Sequence, residues 1–301
     1  MLNNPKKGIA LLIIATLFWS GNYICGRYLA PALPPMLLNT IRWGVSALIL
    51  WGLLRAKKQR LPLLAKWKEF GTLGFLGIFV FSTLTYEGLT QVSASRAGMI
   101  SALIPMFILL STPLILKEKV TWRAWLGSLI SIAGVYLLFQ SKTSDPSSGT
   151  LEGDVMIFLS CVAWSFYTVL GKKYGATTDP LTLTAGAAVY GSLFSAISSI
   201  GAIGSASIHI TPTAWLCILY VSTFASVVAY FCWNAGVKLV GAAKAAPFIN
   251  LLPIWTVLLG VVLLGEQISG IALAGGGLAM MGAIFASGRT NRQHKHGGET
   301  G

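Results

Sequence analysis

Charge is what this chain has least of. Asp, Glu, Lys and Arg make up 10% of its 301 residues, whereas a soluble globular domain carries about 25%. So few charges cannot cover a water-facing surface, which excludes an ordinary soluble enzyme or binding module. Histidine occurs three times, as His209, His294 and His296. The first falls in an expected loop and the others in a polar C-terminal tail. Intramembrane catalysis needs His, paired carboxylates or a Cys–His pair within mutual reach, and no apolar run offers one. No enzyme activity, cofactor or metal site is therefore expected. The four cysteines, Cys25, Cys161, Cys217 and Cys232, all lie in apolar runs without a C-x-x-C pair. They read as small core residues. No Asp, Glu or His lies near the middle of a span, so the usual intramembrane proton carrier is missing.

What the chain does have is hydrocarbon. Apolar residues reach 54% and the mean hydropathy is +0.72. A membrane helix needs roughly 20 apolar residues, because its backbone must satisfy its own hydrogen bonds in lipid. Ten such runs are expected, at 8–28, 36–54, 70–90, 93–115, 121–140, 153–173, 180–202, 213–236, 242–264 and 268–287. Lys6 and Lys7 precede the first run, and no small-residue cleavage site closes it, so it is expected to span. The Ser/Pro/Asp-rich stretch 141–152 reads as a linker, and 288–301 as a disordered cytoplasmic tail. The net charge of +13 comes from basic residues in short loops. That is a topology signal, and no nucleic-acid partner is expected. With the N-terminus inside, 18 Lys and Arg fall inside. Three, Arg27, Arg96 and Lys142, fall outside. Both termini are expected in the cytoplasm.

The chain is written twice. Gly8, Trp19, Ser20, Gly26 and Pro35 fall 145 positions before Gly153, Trp164, Ser165, Gly171 and Pro180. Arg96, Pro105 and Glu118 fall 148 before Lys244, Pro253 and Glu266. Each half carries five runs, and an odd number turns the second half upside down relative to the first. The expected fold is an all-α integral membrane protein of ten transmembrane helices in two inverted five-helix repeats, 8–140 and 153–287. Substrate sites of such repeats lie at their interface near the midplane.

Trp19-Ser20 and Trp164-Ser165 in the first helix of each half, with Pro105…Glu118 and Pro253…Glu266 across the fourth, resemble the drug/metabolite transporter superfamily. Each half is similar to one EamA domain, and within the superfamily the chain looks most like bacterial YddG-type aromatic amino-acid exporters. The family pattern ends the fourth helix in Gly-Glu. Gly265-Glu266 matches, whereas Lys117-Glu118 departs at its first position and leaves the tightness of that turn open. The resemblance implies a multi-pass protein of the bacterial inner membrane.

Candidate site residues follow from helical faces. Trp19, Asn22, Tyr23 and Gly26 share one face of the first helix, and Trp164, Tyr167, Thr168 and Gly171 repeat it in the sixth. Ser82 and Tyr86 in the third helix, and Tyr230 and Trp233 in the eighth, form similar stripes. Ser101 and Asn250 lie near the two prolines. Polar and ring-bearing faces are costly against lipid at mid-depth, so these residues are expected to line a central substrate cavity. Ordinary interhelical packing is the competing reading for any one of them. Pro105 and Pro253 are candidate hinges or fixed kinks. Glu87 and Arg96 are a candidate outer gate or a plain ion pair. Arg42, two turns in from the outer end of the second helix, is expected to snorkel outward. No Lys or Arg is then left deep in the cavity, which argues against phosphorylated substrates.

The function expected is export of small amphipathic metabolites, chiefly aromatic or neutral amino acids. Ring faces would stack on aromatic side chains and attract an amine. Facilitated movement is favoured over proton coupling, and hydrophobic cations or drugs are the alternative cargo. Partners are the lipid bilayer and the small-molecule substrate. The small residues Gly127, Ser131 and Gly134 echo Gly275, Ala279 and Gly282. They suit an intrachain seam, with a homodimer contact as the other option for a chain that is monomer or homodimer.

Overall fold

The computed structural model describes residues 5–29, 32–92, 97, 100–140, 150–200, 211–255, 258–259 and 270–287. Among these residues the chain is all-helical, with ten helices and no β-strand. The first half holds α1 (Pro5–Leu29), α2 (Pro35–Ala56), α3 (Trp67–Gln91), α4 (Ile104–Leu116) and α5 (Trp122–Gln140). The second holds α6 (Leu151–Tyr174), α7 (Pro180–Ser199), α8 (Pro212–Val240), α9 (242–255) and α10 (Gly270–Ser287). Arg96, Glu266, the linker 141–149, the tail from 288 and the side chain of Tyr23 lie outside the described residues.

The punctuation is local chemistry. Pro35, Pro180 and Pro212 open their helices in the first turn, where a missing N–H costs nothing. Thr150, Asp179 and Thr211 cap α6, α7 and α8 by accepting from Gly153 N, Thr182 N and Ala214 N at 3.1, 3.0 and 3.2 Å. Lys117 closes α4 with φ at 56°, the left-handed conformation that glycine adopts most cheaply. The chain thus takes the left-handed step here although lysine stands where the family pattern has glycine.

Polarity runs inside out. Leu48, Leu216 and Met281 are 69, 68 and 60% exposed, while Ser20, Asn39, Ser46, Ser165 and Ser226 are fully buried. Water would reverse that arrangement; lipid favours it, because polar groups find partners only between helices. Six helices among the described residues (α1, α2, α3, α6, α7 and α8) are long and apolar enough to cross a membrane.

The halves pack by exchange. α2 lies on α7 and α5 on α10. α1 lies on the end of α8 just as α6 lies on the end of α3. A Cβ on Gly8 would meet Val240 Cγ1 at 2.6 Å, and one on Gly153 would meet Val92 Cγ1 at 2.7 Å. Gly88 and Gly236 repeat the relation against the Gly153 and Gly8 carbonyls, at 3.2 and 3.1 Å. In the α5–α10 contact, Cβ atoms on Gly127 and Gly134 would stand 2.6 Å from the carbonyls of Gly282 and Gly275. The small-residue stripe is thus a seam within this chain.

Two features depart from the expected spans. The fourth run, expected as a continuous helix over 93–115, breaks at a turn, Ala102–Leu103, before α4 begins at Ile104. Pro105 consequently occupies the first turn of a helix rather than its interior. In α9 the stretch Ala246–Leu251 is a 3₁₀-helix, and α-helix resumes just before Pro253. The other departure is paired. α3 contains a π-helical segment, Gly74–Val80, and α8 contains one at Phe224–Val228. They fall at equivalent places in the two halves.

Candidate functional site

The π segments position the site. A widened turn lengthens the i→i−4 ladder and leaves carbonyls for other donors. Tyr230 Oη donates to Gly77 O at 2.9 Å and Asn39 Nδ2 to Ile78 O at 3.1 Å, both in the first segment. Trp19 Nε1 donates to Ala225 O in the second, at 2.9 Å. Trp19 of α1 and Tyr230 of α8 are thereby anchored on backbone, and their rings meet.

Trp19, Trp164 and Tyr230 form a three-way ring contact with centroids 5.0 to 5.6 Å apart. Trp43, Phe81, Tyr167 and Trp233 extend it. Beside this cluster lies a small cavity of about 40 Å³. Of the candidate residues, Trp19, Asn22, Ser82, Tyr86, Ser101, Trp164 and Tyr230 line it. Phe81, Thr85, Ile104, Ile249, Leu252 and Arg42 complete the wall. Tyr167 and Trp233 stand behind the wall. Asn234 donates to Tyr167 Oη at 2.8 Å, and Trp233 Nε1 to Thr168 Oγ1 at 3.3 Å. Asn250 is buried behind Ile249 and Leu252, both atoms of its amide without a partner among the described residues. Glu87 is half-buried on α3, and its proposed partner Arg96 is outside the described residues.

About 40 Å³ is well below the roughly 150 Å³ of an apolar cavity that takes up benzene. An aromatic solute therefore has to part the rings. A larger open groove of about 800 Å³ runs beside Leu48, Trp51, Arg55 and Arg60 at the α2–α7 contact, outside the ring cluster.

Arg42 corrects the expectation from sequence. It does not snorkel outward; it is 3% exposed and lines the cavity. Nε donates to Ser226 Oγ at 2.5 Å and Nη1 to Tyr86 Oη at 2.7 Å. Tyr86 Oη in turn donates to Asn22 Oδ1 at 3.0 Å. The guanidinium also lies 5.1 Å from the Trp43 ring centroid. The cavity is ring-lined, as expected, but it is not uncharged. A signal was present in the sequence: Asn39, Arg42 and Ser46 share one face of α2, and all three are buried.

The comparisons with known proteins bear on this geometry. The EamA-like transporter family matches residues 6–140 and again 151–288. The chain belongs to the EamA-like transporter family. An uncharacterized transporter of Bacillus subtilis, YyaM, is 28% identical over 286 residues, covering 92% of each chain. An uncharacterized transporter of Archaeoglobus fulgidus is 27% identical, covering 92% of this chain and 97% of its own. The uncharacterized inner membrane transporter YedA of Escherichia coli is 23% identical, covering 90 and 87%. One solved crystal structure shares the fold with a TM-score of 0.79 at 20% identity, covering 93% of this chain and 96% of that one. This EamA-like chain is thus a multi-pass membrane transporter. The names of these three relatives carry the word transporter and no cargo, so the likeness to aromatic amino-acid exporters rests on the sequence motifs.

Proposed function

We propose that this protein exports small amphipathic metabolites, aromatic and neutral amino acids foremost, across the bacterial inner membrane. The observation that carries the reading is the ring-walled cavity built by both halves, with Trp19 from α1 and Trp164 and Tyr230 from α6 and α8. An aromatic side chain inserted there stacks on rings already held on backbone carbonyls. The pairwise exchange of helix contacts supports two inverted repeats that rock about this point. The breaks before Pro105 and Pro253 supply places for that motion, and the Lys and Arg distribution favours both termini in the cytoplasm.

Movement is facilitated rather than proton-coupled, since no Asp, Glu or His is among the described residues lining the cavity. Hydrophobic cations, the other cargo compatible with the motifs, would meet the Arg42 guanidinium in the same small space. Purified protein in liposomes should take up labelled L-phenylalanine down its gradient, at a rate that a protonophore leaves unchanged. Abolition of uptake by the protonophore would refute the uncoupled mechanism, and no uptake of any aromatic amino acid would refute the cargo.

A further inference from the structure

We infer that Arg42 is a carboxylate-binding residue, and that the cavity selects solutes carrying one carboxylate on an apolar or aromatic body. This rests on the transport reading above and specifies its cargo. The first observation is a charge without a counter-ion. Among the described residues Lys66 pairs with Glu69 at the start of α3, while the cavity-lining Ser82 and Tyr86 lie towards the other end of that helix. The described partners of Arg42 are two neutral hydroxyls. A guanidinium taken out of water is expensive unless an anion compensates it, and an intramembrane ionisable group marks a functional path. The unused edge of its planar fork is suited to grip a carboxylate.

The second observation is independent. Two other buried groups on the same wall lack partners among the described residues: Thr85 Oγ1 and Trp164 Nε1. Both can donate a hydrogen bond, and leaving such groups unpaired is costly. One cation and two neutral donors around a single space are complementary to an acceptor-only group of charge −1. A phosphate dianion would leave a net buried charge after pairing with Arg42, so the balance favours a carboxylate. For the ammonium of an amino acid the described wall offers ring faces and no carboxylate. The acid group should therefore be the required end of the cargo and the amine the dispensable one.

The test uses full-length protein in detergent, with tryptophan fluorescence and thermal shift as readouts. The probes are 3-phenylpropionate, its uncharged 3-phenylpropionamide isostere, and 2-phenylethylamine. The acid should bind, and the amide and the amine should bind roughly ten- to hundred-fold more weakly, the loss of a charge-assisted bond. Arg42→Gln should weaken the acid by a similar factor and leave the amide unchanged, and Arg42→Lys should recover part of the loss. Equal binding of acid and amide, preference for the amine, or no binding by any probe would each overturn the assignment. The probe series on the unaltered protein decides the matter even if Arg42→Gln does not fold. Acid-selective binding without L-phenylalanine flux in liposomes would remove the export reading and leave the carboxylate site standing. Flux with indifferent acid and amide binding would do the reverse.

Discussion

The indole rings of Trp19 and Trp164 meet edge to face, centroids 5.0 Å apart at an interplanar angle of 88°. The two residues occupy equivalent places in the repeated halves, 145 positions apart, so the halves touch through the same residue type. Their hydrogen bonding differs: Trp19 Nε1 is tied to Ala225 O, and Trp164 Nε1 has no partner among the described residues.

That difference predicts unequal phenotypes for one conservative change. Trp19→Phe loses a buried bond and leaves a carbonyl unpaired, so stability should fall by about 1–2 kcal/mol. Trp164→Phe shares the loss of ring packing but removes no hydrogen bond, so its apo melting point should fall less than that of Trp19→Phe while the shift caused by L-phenylalanine diminishes. Thermal unfolding of both variants, with and without ligand, checks this. Equal apo stability with equal ligand response would contradict the roles assigned to the two rings.

Tyr230→Phe tests the anchoring of the first π segment. The Tyr230 hydroxyl satisfies Gly77 O inside the bundle, and its loss should cost about 1–2 kcal/mol. Asn39→Ala should cost at least as much, because Asn39 also donates to Ser195 Oγ at 2.9 Å. Denaturation midpoints compared with the unaltered protein give the measurement.

Glycine positions should rank by what stands opposite them. A Cβ on Gly134 would meet backbone of α10, with Gly275 O at 2.6 Å. A Cβ on Gly88 would meet first the end of the Ile157 side chain, at 2.7 Å, which can turn aside. Gly134→Ala should therefore cost about 1–3 kcal/mol, and Gly88→Ala clearly less. Gly236→Ala, opposed by Leu12 Cδ2 at 2.8 Å, should match Gly88→Ala. A reversed order in melting temperature would mean the seam yields more readily than its backbone contacts imply.

Lys117→Gly should stabilise. Lysine at φ 56° carries a steric cost that glycine does not. Its side chain is exposed, so little packing is lost. A gain of about 0.5–1 kcal/mol is expected, reduced somewhat by glycine's freer unfolded chain. A fall in the unfolding midpoint would show that the lysine contributes contacts of its own.

Much of the fold was legible because membrane helices announce themselves by composition and because the chain repeats itself. The offset linking Trp19 to Trp164 located the ring cluster before any coordinate, and Asn22, Ser82, Tyr86, Ser101 and Tyr230 fell on the same wall. Tyr167 and Trp233 shared the right faces but stand one layer back, since a helical face is broader than the cavity it borders. The π segments were not legible. Gly74–Val80 reads as ordinary apolar helix, and the side chains that bond its carbonyls come from distant parts of the sequence: Tyr230, for instance, bonds Gly77 across 153 positions. Arg42 was misread for a related reason. Snorkelling considers only the distance to water, while the partners that turn this side chain inward, Tyr86 and Ser226, come from α3 and α8.

Counted from the prolines that open them, the residue in α7 equivalent to Arg42 of α2 is Ala187, buried and without charge. A scaffold of two matched halves thus holds a single-ended attachment point. Cargo gripped there acquires a bow and a stern: its anionic end is moored near the second turn of α2 and its apolar body trails among the rings. In the export reading it departs charged end first, and running the carrier backwards would change the direction of travel but not that posture.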